Sequence, residues 1–165
     1  MSTADSPERG PPALAGAPPR ILVIQAPYYR DIVDGMRRAA EQIFAELHAT
    51  VEVAEVAGAF ELPAALRMAL SYDGGVDRKL WDGYLILGCV VKGDTDHYDH
   101  ICREACRGVM DIAVETGAPI GFGLLTVHTI RQAEERAAPG RMNKGAEAAH
   151  AVLGQIALAR RWGLA

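Results

Sequence analysis

The sequence predicts a single α/β domain, with a four-stranded parallel sheet covered by helices on both faces and one extra helix at the carboxyl end. Three observations predict it. Four short strand-like runs are each followed by a stretch whose apolar residues recur at helical spacing, the pattern of repeated strand–helix units. Consecutive parallel strands require such crossovers, and the right-handed form packs its helix back onto the sheet. At 165 residues, half of them hydrophobic, the chain has material for one substantial core.

Residues 1–19 are rich in Pro, Gly and Ala without periodicity and read as a flexible or extended arm before a single domain at 20–165. Residues 21–26 form the first buried strand. The turn Pro27, Tyr28, Tyr29, Arg30 ends it, and Asp31 is placed to cap a helix in which Ile32, Val33, Met36, Ala39, Ala40, Ile43, Phe44 and Leu47 follow the helical period. Residues 50–57 alternate, with Val51 and Val53 opposed by Glu52 and Glu55, as in an edge strand with one wetter face. Gly58, Ala59, Phe60 and Glu61 make a turn, and Pro63 suits the first position of a short helix to about Ser71. Residues 72–82, with Gly74 and Gly75, read as a loop.

The third strand, 84–91, opens the most informative stretch, GCVVKGDTDHYDHICREACRGVMD at 88–111. A polar turn at Lys92 and Gly93 leads into a helix from about His97, with Thr95 or Asp96 as cap and Gly117 then Pro119 as stop. Ile101, Cys102, Ala105, Cys106, Val109, Met110, Ile112 and Ala113 form its apolar face. Free amides at such a helix start favour an anion, and His97 would stand beside it. A lone histidine in a first turn also serves as an ordinary cap or surface residue, so the surrounding pattern carries the reading. Residues 120–126 form the fourth strand, Thr129 and Gln132 a capping pair for a short helix to Ala137, and Asn143 the cap of a last helix at 144–162.

In parallel sheets ligands sit outside the carboxyl ends of the strands, and Tyr28, the 58–61 turn and the 93–97 turn each follow a strand directly. No G-x-G-x-x-G or P-loop lysine occurs, which disfavours a nucleotide, and no cofactor is implied. Net charge of −4 with interspersed signs gives no nucleic-acid face, and no apolar run approaches a membrane span. With no basic-then-apolar leader, the expected location is cytoplasmic. Cys89, Cys102 and Cys106 read as buried free thiols, since no second Cys or His pair has ligand spacing; no metal is expected.

The segment GCVVKGDTDHYDHICREACRG resembles the signature of the lumazine synthases, and the likeness runs from about Ile21 to Gly163. The resemblance implies a flavodoxin-like three-layer α/β/α sandwich. It implies condensation of 5-amino-6-(D-ribitylamino)uracil with 3,4-dihydroxy-2-butanone 4-phosphate to 6,7-dimethyl-8-ribityllumazine, phosphate and water, a step of riboflavin formation. His97 matches the family's proton-transfer histidine, suited to giving and taking protons near neutral pH. Gly93, Asp94 and Thr95 match its phosphate turn, and Arg136, beside Glu135, the arginine that pairs with that phosphate. Tyr28 stands where the family usually has Phe or Trp stacked on the uracil ring, with Tyr29 as its near competitor. Ala59, Phe60 and Glu61 match the segment that holds the ribityl chain and ring; the preceding Pro of the family is Ala57 here. Cys89, Val90 and Val91 would offer backbone contacts to the uracil, and Phe122 and Lys144, with Arg136, would reach the site from a neighbouring subunit.

The resemblance therefore implies a homo-oligomer, a ring of five or a multiple of it, and riboflavin synthase as a candidate partner. The 137–145 connection has the length found in cage-forming relatives, so an icosahedral shell is compatible with it. The alternative is a weakly catalytic flavin- or lumazine-binding paralogue or a shell-forming carrier. Intact His97, Arg136 and Lys144 oppose it, while Tyr28, Ala57 and Asp94 leave it room.

Overall fold

The computed structural model describes residues 10, 12–74 and 79–164. Most of the segment read as an arm, and residues 75–78 of the 72–82 loop, lie outside these. The elements run β1 (Arg20–Ala26), α1 (Arg30–Glu46), β2 (Thr50–Glu55), α2 (Leu62–Gly74), β3 (Gly83–Val91), α3 (His97–Thr116), β4 (Ile120–Val127), α4 (Ile130–Ala137) and α5 (Lys144–Arg161). Short 3₁₀ turns, Pro27–Tyr29 and Ala59–Glu61, stand between β1 and α1 and between β2 and α2.

The sheet is wholly parallel in the order β2-β1-β3-β4, so β1 and β3 lie side by side at its centre. Both are buried nearly throughout, as their continuous apolar runs demand. Alternate β1 side chains serve two cores. Ile21 and Val23 pack with α1 and α5, whereas Leu22 and Ile24 pack with α2 and α3. This is the α/β/α sandwich expected from the strand–helix repeat.

Helix α5 is pressed close to its neighbours by glycine. A Cβ on Gly145 would stand 2.1 Å from the Met36 carbonyl oxygen of α1, and one on Gly121 of β4 2.2 Å from that of Ala148. Asn143 fastens the same corner. Its Oδ1 accepts from Gly145 N at 2.9 Å and Ala146 N at 3.1 Å, while its Nδ2 donates to the Ala137 and Ala138 carbonyls at 2.7 and 3.1 Å.

Several local expectations are corrected. Asp31 does not cap α1: the 3₁₀ turn runs straight into the helix, Tyr29 takes the cap position without a side-chain bond, and Asp31 lies in the first turn. Asp96 occupies the cap position of α3 but makes no capping bond, because its φ of −67° and ψ of −5° are already helical rather than extended. Helix α2 continues past Ser71 to Gly74, held by Asp73, whose carboxylate accepts from Leu80 N and, at 2.9 Å, from the Tyr84 hydroxyl. Strand β2 is an edge as expected, but it ends at Glu55, and although Val51 packs against the core, Val53 on the same face is 41% exposed among the described residues. Met110 is 62% exposed as well. It lies about 140° round the helix from Ala105, off the narrow stripe that faces the sheet.

Candidate active site

The carboxyl ends of β1, β2 and β3 open on a cleft of about 680 Å³. Tyr28 and Tyr29 form its first wall, from the 3₁₀ turn after β1, their rings edge-on at 5.1 Å between centroids. Ala57, Gly58, Ala59, Phe60 and Glu61 form the second, after β2. Cys89, Val90 and Val91 supply the floor at the end of β3, and His97 and Ile101, one turn apart on α3, close the far side. Eight residues expected at the site thus meet here: Tyr28, Ala59, Phe60, Glu61, Cys89, Val90, Val91 and His97.

The cleft is apolar with few polar groups, and its aromatics are open to solvent. Tyr28 is 77% exposed and Phe60 59%, so the turns after β1 and β2 each present an open aromatic ring. Glu61 folds back over Gly58, its Oε2 lying 3.2 Å from where a Gly58 side chain would begin. Burial pushes the Cys89 thiol up to about 11, so it stays protonated near neutral pH and is a poor nucleophile. The Tyr29 hydroxyl is also raised, first by burial and then by its neighbours Tyr28 and Cys89.

Beside the cleft, Gly93, Asp94 and Thr95 make an exposed turn that enters α3. First-turn amides of a helix have no acceptor within it, which favours an anion there. The carboxylates of Asp94, Asp96 and Asp99 crowd the same stretch, and the nearby Lys92 is directed over the Tyr98 ring, 5.8 Å from its centroid. A phosphate at this turn therefore calls for a further cation.

The sequence model of the 6,7-dimethyl-8-ribityllumazine synthase family matches residues 18–160. The chain belongs to that family. Among curated relatives, the 6,7-dimethyl-8-ribityllumazine synthase of Methylobacterium radiotolerans is 44% identical over 158 residues, 95% of this chain and 92% of the relative. That of Paramagnetospirillum magneticum is 38% identical over 146 residues, covering 88% and 97%, and that of Agrobacterium fabrum 40% over 146 residues with the same coverage.

Six residues matched to the family's site do not line the cleft of their own chain: Gly93, Asp94 and Thr95, in the turn beside it, and three on β4, α4 and α5. Phe122 lies on the edge strand β4, 40% exposed. Arg136 is on α4, its Nη1 donating to the Gln132 carbonyl at 2.9 Å, and Lys144 starts α5, paired with Glu147 at 2.5 Å. Conversely, Ala57, Gly58 and Ile101 line the cleft without having been assigned a role, and Tyr29, named only as the competitor of Tyr28, lines it too. Ile101 was open to inference from its place four residues after His97. Tyr29 was ambiguous because adjacent residues of a turn cannot be oriented from spacing alone. The thiols need one correction: Cys89 is buried, but Cys102 and Cys106 are only half-buried. Among the described residues no three His, Cys, Asp or Glu side chains gather as metal ligands, and no helix is long and apolar enough to cross a membrane.

Proposed function

We propose that this chain condenses 5-amino-6-(D-ribitylamino)uracil with 3,4-dihydroxy-2-butanone 4-phosphate to give 6,7-dimethyl-8-ribityllumazine. One observation carries the reading. In a member of this family, His97 stands at the start of α3 across a slot walled by Tyr28 and Phe60. The flat pyrimidine stacks on Tyr28, the Cys89, Val90 and Val91 backbone meets its polar edge, and Ala59, Phe60 and Glu61 hold the ribityl chain. Phosphate rests on Gly93, Asp94 and Thr95.

The chemistry follows in balanced steps. The 5-amino nitrogen adds to the ketone carbonyl and water leaves, forming an imine. A proton leaves carbon as the C–O bond to phosphate breaks, releasing inorganic phosphate. The enol left on the hydroxyl-bearing carbon tautomerises to a ketone, the ribitylamino nitrogen closes on that new carbonyl, and a second water departs. Each step moves a proton, the work of His97, and juxtaposing two reactants supplies much of the acceleration.

The cation missing from the phosphate turn belongs to Arg136 of a neighbouring subunit, accompanied by its Phe122 and Lys144. Sites shared around a ring of five, alone or in larger shells, follow from this reading, as do a cytoplasmic address and riboflavin synthase as the consumer of the product. The exposed Val53 and Met110 support it, since both are apolar side chains left open among the described residues of a lone chain. Mixing the purified protein with both substrates and following lumazine absorbance and fluorescence tests the activity. Turnover well above the spontaneous rate is expected; a background rate with retained lumazine binding would make the protein a carrier.

A further inference from the structure

The two aromatic walls of the cleft come from different elements, and one cluster outside the cleft ties them together. Arg30 follows Tyr28 and Tyr29 directly, and Glu55 ends β2 two residues before Ala57. Guanidinium meets carboxylate as a fork, Nη1 to Oε1 at 3.0 Å and Nη2 to Oε2 at 3.2 Å. Gln25 Nε2 donates to the same Oε1 at 2.9 Å, and the Val56 amide donates to the Gln25 carbonyl at 2.9 Å. Gln25 is 1% exposed within the apolar run of β1; its Nε2 is bonded to Glu55, while its buried Oε1 has no hydrogen-bond partner among the described residues. Arg30 is the first residue of α1, the end at which the helix dipole disfavours a cation, and Glu55 supplies the countercharge.

We propose that Arg30, Glu55 and Gln25 form a positioning clamp that sets the distance between Tyr28 and the 57–61 wall, and so the width of the slot for the pyrimidine ring. The inference rests on the proposed occupation of that slot by the ribityl pyrimidine. None of the three side chains lines the cleft, so they act through Tyr28 and Phe60. An exposed ion pair adds little to global stability. A stacked ring, by contrast, loses dispersion steeply when its slot widens by a fraction of an ångström. The clamp therefore shows in substrate binding rather than in melting.

The test uses the full chain with Glu55→Ala, Glu55→Gln and Arg30→Lys, read by amide hydrogen exchange without substrate and by steady-state kinetics. Glu55→Ala should speed exchange in the 26–31 and 56–62 segments while α5 is unchanged and Tm stays within about 3 °C. KM for the ribityl pyrimidine should rise about tenfold, with kcat and KM for the four-carbon phosphate within about twofold. Glu55→Gln keeps an oxygen for Gln25 and should recover part of the loss, while Arg30→Lys, a point charge without the fork, should not. An unchanged pyrimidine KM in Glu55→Ala would overturn the clamp, as would a loss spread equally over both substrates and Tm. A wild-type protein that forms no lumazine would instead remove the proposed activity. Wall exchange still reads the clamp in that case, and unchanged exchange would overturn it.

Discussion

His97 stands where a titratable side chain, the start of α3 and the cleft meet. Its replacement by Ala should slow turnover by roughly 10²–10⁴ in steady-state assays while assembly is unchanged, the range for a positioned proton-transfer group. The loss should be bounded, because the orientation of two bound reactants survives the mutation. Cys89→Ala should keep kcat within about threefold, since a thiol held protonated by burial offers no nucleophile near neutral pH. Tyr28→Trp should bind the pyrimidine as well as Tyr28 does, and Tyr28→Ala should weaken binding by about 1–3 kcal/mol in calorimetry, as lost base stacking does. A larger loss in Tyr29→Ala would move the stacking role to the more buried ring. At low pH a different residue matters. Arg30 first, then Gln25, holds the Glu55 carboxyl below its usual range, so its pair with Arg30 is present at and above the ordinary carboxylate pKa and is lost only as pH falls through the lowered value.

At the scale of elements, the corner where α4 ends and α5 begins depends on two residues without aliphatic bulk. Asn143→Ala removes the α5 cap and strands the buried Ala137 carbonyl, and should lower stability by about 2–4 kcal/mol in urea titration. Gly145→Ala should cost more than a surface change, because its Cβ would collide with the Met36 backbone rather than with a yielding side chain. Asn143 was legible in the sequence as a cap, since it precedes a periodic run after Pro139 and Gly140. The four strands were legible too, because continuous apolar runs between turn residues have few other solutions. Asp31 failed as a cap because a 3₁₀ turn can feed a helix without an extended residue, which periodicity does not reveal. Met110 and Val53 failed as core for another reason. Alternation and helical spacing mark an apolar face but do not say whether the chain's own elements cover it. The half of the site lying in the turns after β1, β2 and β3 was readable by the rule for parallel sheets. Arg136, Lys144 and Phe122 were matched only by resemblance, since nothing local to them signals a ligand.

At the scale of the molecule, the proposed reaction makes the cleft half of an active site. One chain brings His97 and the aromatic slot together, with the exposed 93–95 turn entering the same helix, but keeps Arg136 on α4, bonded to its own backbone. A head-to-tail ring would repeat one heterologous interface, and on the proposed function each cleft would take its cation from the next subunit. Mutants defective in opposite halves should then complement. His97→Ala and Arg136→Ala proteins, each impaired alone, would be unfolded together, reassembled at equal ratio and assayed for lumazine formation, with mixed oligomers verified by mass. Random mixing leaves about a quarter of interfaces with both halves wild type, and activity should rise toward that fraction. Activity no greater than the sum of the separate mutants would contradict the shared site and place every catalytic part within one chain.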